Sequence, residues 1–192
     1  MKTMEQKPSI IMLNGSPHND GATARALELV EAKLIEDGID VKKFSIGCSP
    51  ITGCIACGFC KDGKGCVYND KVNEVSYAFS ESDGIIIGTP VYYASPNGSL
   101  ICFLDRLFHS SKFQKNQKLG ISIATARRAG AISALNVINN YFLYSGMTLV
   151  GSSYWNLMYN DKLRGDDAEG AQTMKNLADN LIKALRQTKA SD

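Results

Sequence analysis

The chain lacks both a long hydrophobic run and a strong net charge. Its 192 residues carry a formal net charge of +2, so the composition predicts neither a nucleic acid nor an anionic membrane as a partner. No apolar stretch approaches the roughly 20 residues that a transmembrane helix needs. The length suits one domain with a sizeable core and is too short for two of ordinary size. We therefore expect a single domain over residues 1–192, with no membrane and no nucleic-acid partner.

Signals of secretion and of acid–base catalysis are also missing. The first ten residues contain no apolar core of a signal peptide, which predicts a cytoplasmic protein. No catalytic triad, H-E-x-x-H motif or paired-carboxylate motif is present, so we name no catalytic residue. Structural disulfides are not expected in a reducing compartment, yet four of the six cysteines crowd into residues 54–66. Such a cluster indicates metal or redox chemistry.

Short β-branched runs alternate with longer segments of helical period, which is typical of βαβ units around a parallel sheet. The pattern predicts five strands, near residues 9–13, 39–46, 85–87, 119–124 and 147–150. It predicts helices near 21–37, from 70 to a stop at 82–84, near 98–110, near 130–144 and at the end of the chain. We expect an α/β fold, a flavodoxin-like doubly wound sheet of five parallel strands in the order 2-1-3-4-5, with helices on both faces. Ligands of such sheets bind beyond the carboxyl ends of the strands.

The loop after the first strand predicts a phosphate site. Residues 14–23 are rich in glycine and hydroxyl side chains and lead into a helix N-terminus, where free N–H groups and the helix dipole favour an anion. The hydroxyls of Ser16 and Thr23 can add donors. A P-loop is not expected, because Ala22 follows Gly21 where that motif has lysine. The alternative is a plain turn and helix cap without a ligand.

The loops after the third and fourth strands offer a place for a flat ring. Residues 88–96 contain two prolines, which stiffen the backbone, and the neighbouring Tyr92 and Tyr93. A flavin ring needs stacking and hydrogen bonds at its polar edge, and this segment can supply both. Residues 124–130 are rich in small side chains and carry two arginines. The alternatives are sheet-edge packing for a tyrosine and a solvated surface charge for each arginine.

Three segments resemble a known family: residues 14–17, residues 89–93 followed by 103–106, and residues 141–147. They are similar to the NADPH-dependent FMN reductase superfamily over nearly the whole chain, and the cysteine run adds a resemblance to its iron–sulfur flavoprotein branch. The resemblance implies bound FMN and a homodimer or homotetramer. It implies an FMN phosphate held by Ser16, His18, Ala22 and Thr23, a ring bordered by Pro90, Val91, Tyr92, Tyr93 and Ser95, and a far side closed by residues 125–130, with Thr125, Arg127 and Gly130 among them.

This chain departs from the family pattern in two places. His18 stands where relatives often carry arginine, and residues 126–129 are poorer in glycine than the matching loop of many relatives. The second departure lies in the loop after the fourth strand, which the resemblance places on the far side of the ring.

The cysteine-rich loop, at about residues 47–68, has the spacing C-x2-C-x2-C-x5-C. This spacing is related to the ferredoxin pattern that surrounds a cubane, and the three glycines within the run, with Gly53 just before it, let the loop curl at little steric cost. A four-cysteine zinc site is the metal alternative, although zinc sites more often use two short pairs with a longer spacer. Free or disulfide-linked thiols are the third possibility. The resemblance favours a [4Fe–4S] cluster, with ligands Cys54, Cys57, Cys60 and Cys66.

Three functions stay open at this point. The first is an FMN-dependent oxidoreductase that reduces a flavin, a quinone or a similar small acceptor with electrons from NAD(P)H. The alternative is an electron carrier that passes electrons between reduced ferredoxin and FMN through the cluster. The cysteine run favours the carrier in part, because a hydride-driven reductase has no evident need for a one-electron relay. A redox sensor that uses FMN or thiols as a switch is the third.

Overall fold

The sheet is built around a strand that begins with a glycine and three isoleucines. In a computed structural model that describes residues 7–46, 50–159 and 166–190, Ile85, Ile86 and Ile87 are fully buried because helices cover both faces of their strand. The strands are β1 (Ser9–Asn14), β2 (Asp40–Ser45), β3 (Gly84–Tyr92), β4 (Ser95–Pro96), β5 (Leu119–Ala126), β6 (Thr148–Leu149) and β7 (Leu157–Tyr159). The helices are α1 (Ala22–Glu36), α2 (Lys71–Ser80), α3 (Gly98–Ser110), α4 (Ala131–Tyr144) and α5 (Ala168–Ala190).

The five main strands are parallel and run in the order β2-β1-β3-β5-β6. β4 is a two-residue strand that the sequence pattern does not show, so the fourth and fifth predicted strands correspond to β5 and β6. The observed order therefore confirms the predicted flavodoxin-like sheet. β4 pairs with β3 in an antiparallel hairpin, and β7 extends the pairing of β5 past the point where β6 stops. Thus β5 has two parallel neighbours along one edge, one at its start and one at its end.

Successive residues of β1 point into two different cores, as the pleat of a strand requires. Ile10 and Met12 pack on one face of the sheet with the apolar sides of α1 and α5. Ile11 and Leu13 pack on the other face with α2, α3 and α4. None of the helices in the described ranges is long and apolar enough to cross a membrane.

Two strands differ from their predicted extents. β3 continues for five residues past Ile87 and then folds back, so most of the segment predicted as a loop at 88–96 is a hairpin. Pro90 is tolerated because it lies near the end of the ladder, opposite Thr125. The predicted strand at 147–150 is reduced to Thr148–Leu149, and β7 was not predicted. Cys48 and the rest of residues 47–49, at the start of the predicted cysteine-rich loop, lie outside the described residues.

Two glycines provide a test of the sheet packing. A Cβ at Gly84 would lie 2.6 Å from the backbone oxygen of Leu119, which cannot move without breaking the ladder. We expect Gly84→Ala to destabilise the fold by about 1–3 kcal/mol. Gly98 begins α3, and a Cβ there would meet no heavy atom of the described residues within 4 Å. Gly98→Ala should instead stabilise by about 0.4–1 kcal/mol. Urea unfolding midpoints measure both, and equal shifts would contradict this pairing of β3 with β5.

Candidate functional site

The carboxyl ends of β1, β3 and β5 border an open cleft of about 410 Å³. This size lies in the range of about 300–1,000 Å³ that small-molecule sites occupy, and the position is the one expected for a ligand of a doubly wound sheet. Most of the predicted cofactor-binding residues line it, namely Ser16, His18, Ala22, Thr23, Pro90, Val91, Tyr92, Thr125 and Arg127. The cleft also includes Asp20, Gly21 and Ala126, which lie in the predicted loops but were not named as site residues.

The loop before α1 is held in place by its own hydrogen bonds. The Ser16 N–H donates to Asn14 Oδ1 (2.9 Å), and the His18 N–H donates to Ser16 Oγ (3.1 Å). The N-cap of α1 is Gly21, and no side chain of the described residues caps this end of the helix. The first turn of α1 therefore presents its N–H groups and the positive end of its dipole to the cleft, which suits an anion.

A close backbone approach fixes the loop against the next strand. The Gly15 N–H donates to the carbonyl oxygen of Gly88 (2.8 Å). A Cβ at Gly15 would lie 2.9 Å from that same oxygen and 2.6 Å from Cδ2 of Leu100. Only glycine fits at this position, so the loop and the end of β3 are joined at one edge of the cleft.

On the opposite side of the cleft, a hydrogen bond between two hydroxyl groups connects α1 with β5. Thr23 at the start of α1 and Thr125 at the end of β5 share a hydrogen bond of 2.7 Å, and both residues are buried. Sequence reasoning placed these two residues on different parts of the cofactor. The structure brings them into direct contact, so they form a common part of the cleft wall.

The β3–β4 hairpin forms the rim. Its two-residue turn consists of Tyr93 (φ 51°) and Ala94 (φ 58°), a left-handed pair more often made of Asn-Gly. Tyr93 is fully exposed at the tip, and Ser95 pairs with Tyr92. Gly130 (φ +86°) packs below the turn, where a Cβ would lie 2.9 Å from Cα of Ala94. Tyr93, Ser95 and Gly130 are not among the residues that line the cleft, and they shape the hairpin that carries Tyr92.

The four cysteines of the predicted metal site line one cavity. It encloses about 20 Å³ and is bordered by Cys54, Cys57, Cys60 and Cys66 together with part of α3. Cys60 is buried, Cys66 is half-buried, and the other two are exposed. Within the part of the chain that the structure describes, no three His, Cys, Asp or Glu side chains converge on a single metal position. A cubane does not require such convergence, because each thiolate binds a different iron.

The guanidinium of Arg106 lies beside this cavity and is 1% exposed. It forms a bidentate ion pair with Asp70 (2.7 and 2.8 Å), and its Nε–H donates to Cys66 Sγ (3.2 Å). It also donates to the carbonyl of Thr52 (3.2 Å) and lies 4.6 Å from the ring centre of Tyr68. Burial lowers the pKa of Arg106, and the hydrogen bonds with Asp70 and Cys66 outweigh this effect, so its pKa lies above the ordinary value.

Two further side chains complete the surroundings of the cysteines. Asn73 holds the backbone of Cys66, since its Oδ1 accepts the Cys66 N–H (2.8 Å) and its Nδ2 donates to the Cys66 carbonyl (3.0 Å). Ser110, at the end of α3, also lines the cavity. Its hydroxyl is buried and has no hydrogen-bond partner among the residues that the structure describes. Sequence reasoning assigned no role to Asn73 or Ser110.

Comparison with known proteins agrees with this architecture. The family model of NADPH-dependent FMN reductases matches residues 8–161. The chain belongs to this family. An iron–sulfur flavoprotein of Methanocaldococcus jannaschii is 28% identical over 94% of this chain and 98% of its own. An iron–sulfur flavoprotein of Methanosarcina thermophila is 26% identical, over 90% and 93%. A flavodoxin of Streptococcus pneumoniae TIGR4 shares the fold, with a TM-score of 0.61 and 15% identity over 93% of this chain and 99% of its own.

Membership in the FMN reductase family confirms the predicted resemblance and supports a flavoprotein oxidoreductase. The family relationship does not by itself assign a role to any single residue. The predicted cofactor-binding and metal-binding residues therefore stay predictions, for which the cleft and the cysteine cavity supply the geometry.

The ion pair of Arg106 and Asp70 provides a test of how the cysteine segment is held. Asp70→Asn keeps a cap acceptor for the Val72 N–H at the start of α2 but removes the charge that faces Arg106. We expect a loss of roughly 2–4 kcal/mol, because a buried guanidinium is left without its carboxylate. Urea unfolding measures it.

The matched control is Asp40→Asn, which breaks the exposed pair of Lys7 and Asp40 (2.6 Å). This change should alter stability by less than about 1 kcal/mol. If both variants lose the same small amount, Arg106 does not depend on its carboxylate partner.

Proposed function

We propose that this chain is an FMN-binding electron-transfer flavoprotein whose cysteine segment holds a [4Fe–4S] cluster and which accepts electrons from reduced ferredoxin. The observation that carries this proposal is the arrangement of four cysteines around one cavity in a member of the FMN reductase family. The full-length similarity to iron–sulfur flavoproteins supports it. FMN would supply two-electron and one-electron redox chemistry, and the cluster would supply one-electron transfer.

The cleft offers a phosphate end and a ring end. We place the FMN phosphate at the uncapped N-terminus of α1, with Ser16, His18, Ala22 and Thr23 around it. We place the ring along Pro90, Val91 and Tyr92, with Thr125 and Arg127 on the far side. In this proposal Tyr93, Ser95 and Gly130 act by holding the hairpin in position and do not contact the cofactor.

The four cysteines supply the thiolates that a cluster requires, and they differ in exposure. Four thiols and a buried donor surround one cavity. The cavity encloses only about 20 Å³, room for about one water molecule. A four-iron cluster therefore requires the segment to open. Of the four proposed ligands, Cys54 and Cys57 are the exposed ones.

A second function is favoured by the open rim of the flavin cleft. Tyr92 is 45% exposed, and the neighbouring Arg127 is exposed as well. An exposed arginine beside a flavin ring suits the phosphates of an incoming nicotinamide cofactor. On this reading the chain reduces a flavin, a quinone or a similar small acceptor with electrons from NAD(P)H. The homo-oligomer and the cytoplasmic location stay predictions under either function.

The proposed phosphate site is tested by Ser16→Ala. Removing one hydroxyl beside a charged phosphate should weaken FMN binding roughly tenfold, since such hydrogen bonds contribute about 1.5 kcal/mol or more. Ser99→Ala is the control, because Ser99 lies on α3 and is not among the cleft residues. Titration of the apoprotein with FMN, followed by flavin fluorescence, gives both dissociation constants. An unchanged value for Ser16→Ala would place the phosphate elsewhere.

The donor and the cluster are tested on protein purified without oxygen. We expect about four irons and four sulfides per chain, and flavin bleaching by reduced ferredoxin. Cys60→Ala should lose the iron and the ferredoxin response and keep FMN. Cys102→Ala should keep all three, because Cys102 lies on α3 outside the cysteine cavity.

Two other results would change the assignment. Rapid bleaching by NAD(P)H without a protein partner would favour the reductase. If the wild-type protein contains flavin but no iron, even when purified without oxygen, the cysteines are free thiols and not cluster ligands.

A further inference from the structure

The hydroxyl of Ser110 is an unusual group for a protein interior. Ser110 is 5% exposed, and its Oγ has no hydrogen-bond partner within the described residues. A helical serine ordinarily donates to the carbonyl one turn earlier, and Ser110 does not. Most buried hydroxyls in native proteins have a partner, so this exception calls for an explanation.

The position of Ser110 indicates which group its hydroxyl would bind. It lines the same cavity as the four cysteines and lies one helical turn after Arg106 on α3. The Nε–H of Arg106 already donates to Cys66 Sγ at 3.2 Å. One face of α3 therefore presents two donors to the space that the cysteine sulfurs border. One of these donors is engaged with sulfur, and the other has no partner among the described residues.

We propose that the Ser110 hydroxyl is a hydrogen-bond donor to a sulfur of the [4Fe–4S] cluster and raises the reduction potential of that cluster. This inference rests on the proposed cluster and adds a residue outside its ligand set. Reduction adds negative charge to the cluster, and hydrogen bonds to its sulfurs stabilise that charge, so each donor favours the reduced state. The sulfur is either an inorganic sulfide or a cysteine thiolate, since both accept hydrogen bonds.

The next residue along the chain provides a matched control. Ser111 is buried to the same extent as Ser110, at 5% exposed. Its hydroxyl already has a partner, Ser76 Oγ, at 2.6 Å. Ser111 does not line the cysteine cavity. Removal of the Ser111 hydroxyl therefore reports the structural consequence of losing a buried serine near the end of α3 without touching the cluster.

The test compares the wild type, Ser110→Ala, Ser110→Thr and Ser111→Ala as holoproteins prepared without oxygen. Iron and sulfide analysis comes first, followed by a potentiometric titration of the cluster monitored by electron paramagnetic resonance. We expect Ser110→Ala to keep its iron and its FMN and to shift the cluster potential to more negative values. Ser110→Thr, which keeps a hydroxyl, should remain near the wild-type potential. Ser111→Ala should lose stability and keep the potential.

Each remaining outcome has a fixed meaning. A wild type that assembles no cluster removes the proposed function, and with it this inference, before any variant is compared. A loaded Ser110→Ala protein with the wild-type potential overturns the inference alone and leaves the proposed cluster standing. An equal shift in Ser111→Ala overturns it as well, since the effect would then be structural. If Ser110→Ala loses its iron, a loaded Ser110→Thr with the wild-type potential supports the inference, and an unloaded one overturns it.

Discussion

The guanidinium of Arg106 is the charged group on which the position of the cysteine segment depends. It is among the largest fully buried side chains of the described residues. An arginine stays protonated, so its charge has to be neutralised in place, and Asp70 provides this while also capping α2. The same guanidinium reaches the backbone at Thr52 and the thiol of Cys66. A single charge on α3 thus holds both ends of the segment, and hydrophobic burial alone would not fix a loop with two exposed cysteines.

The helix that carries Arg106 also connects the cysteine cavity with the cleft. At its start, the Asn97 side chain donates to the carbonyl of Gly15 (2.8 Å) in the loop before α1. The Asn97 N–H donates to Thr89 Oγ1 (3.1 Å) at the end of β3. At its other end Arg106 and Ser110 border the cysteines. Thirteen residues of α-helix span about 20 Å. Four apolar side chains of α3 are fully buried, namely Leu100, Phe103, Leu104 and Leu107, so one rigid element relates the two sites.

The sequence predicted the sheet and the cleft well because both depend on local patterns. The isoleucines of β3, the glycine-rich loop after β1 and the helical periods are all visible within short windows. The hairpin was missed because Tyr93 and Ala94 occupy a turn that Asn-Gly usually marks. The role of Arg106 was missed because its partners lie 36 to 54 residues away. Ser110 and Ser111 are adjacent and chemically alike, and only the packing distinguishes a free hydroxyl from a bonded one.

The cysteine segment is anchored on one half and open on the other, and this inequality has a consequence for cluster binding. Cys66 is held by Arg106 and Asn73, and Cys60 Sγ donates to the carbonyl of His109 at 3.9 Å. Cys54 and Cys57 are exposed. Ordering a loop around a metal reduces the net binding energy, because part of it offsets lost conformational entropy. Since two of the four proposed ligands are already held by side chains or backbone of α2 and α3, that entropy loss would fall mainly on the exposed half. For the proposed cluster we therefore expect assembly to begin at Cys60 and Cys66, whose groups are held by hydrogen bonds, and to finish at the exposed Cys54 and Cys57.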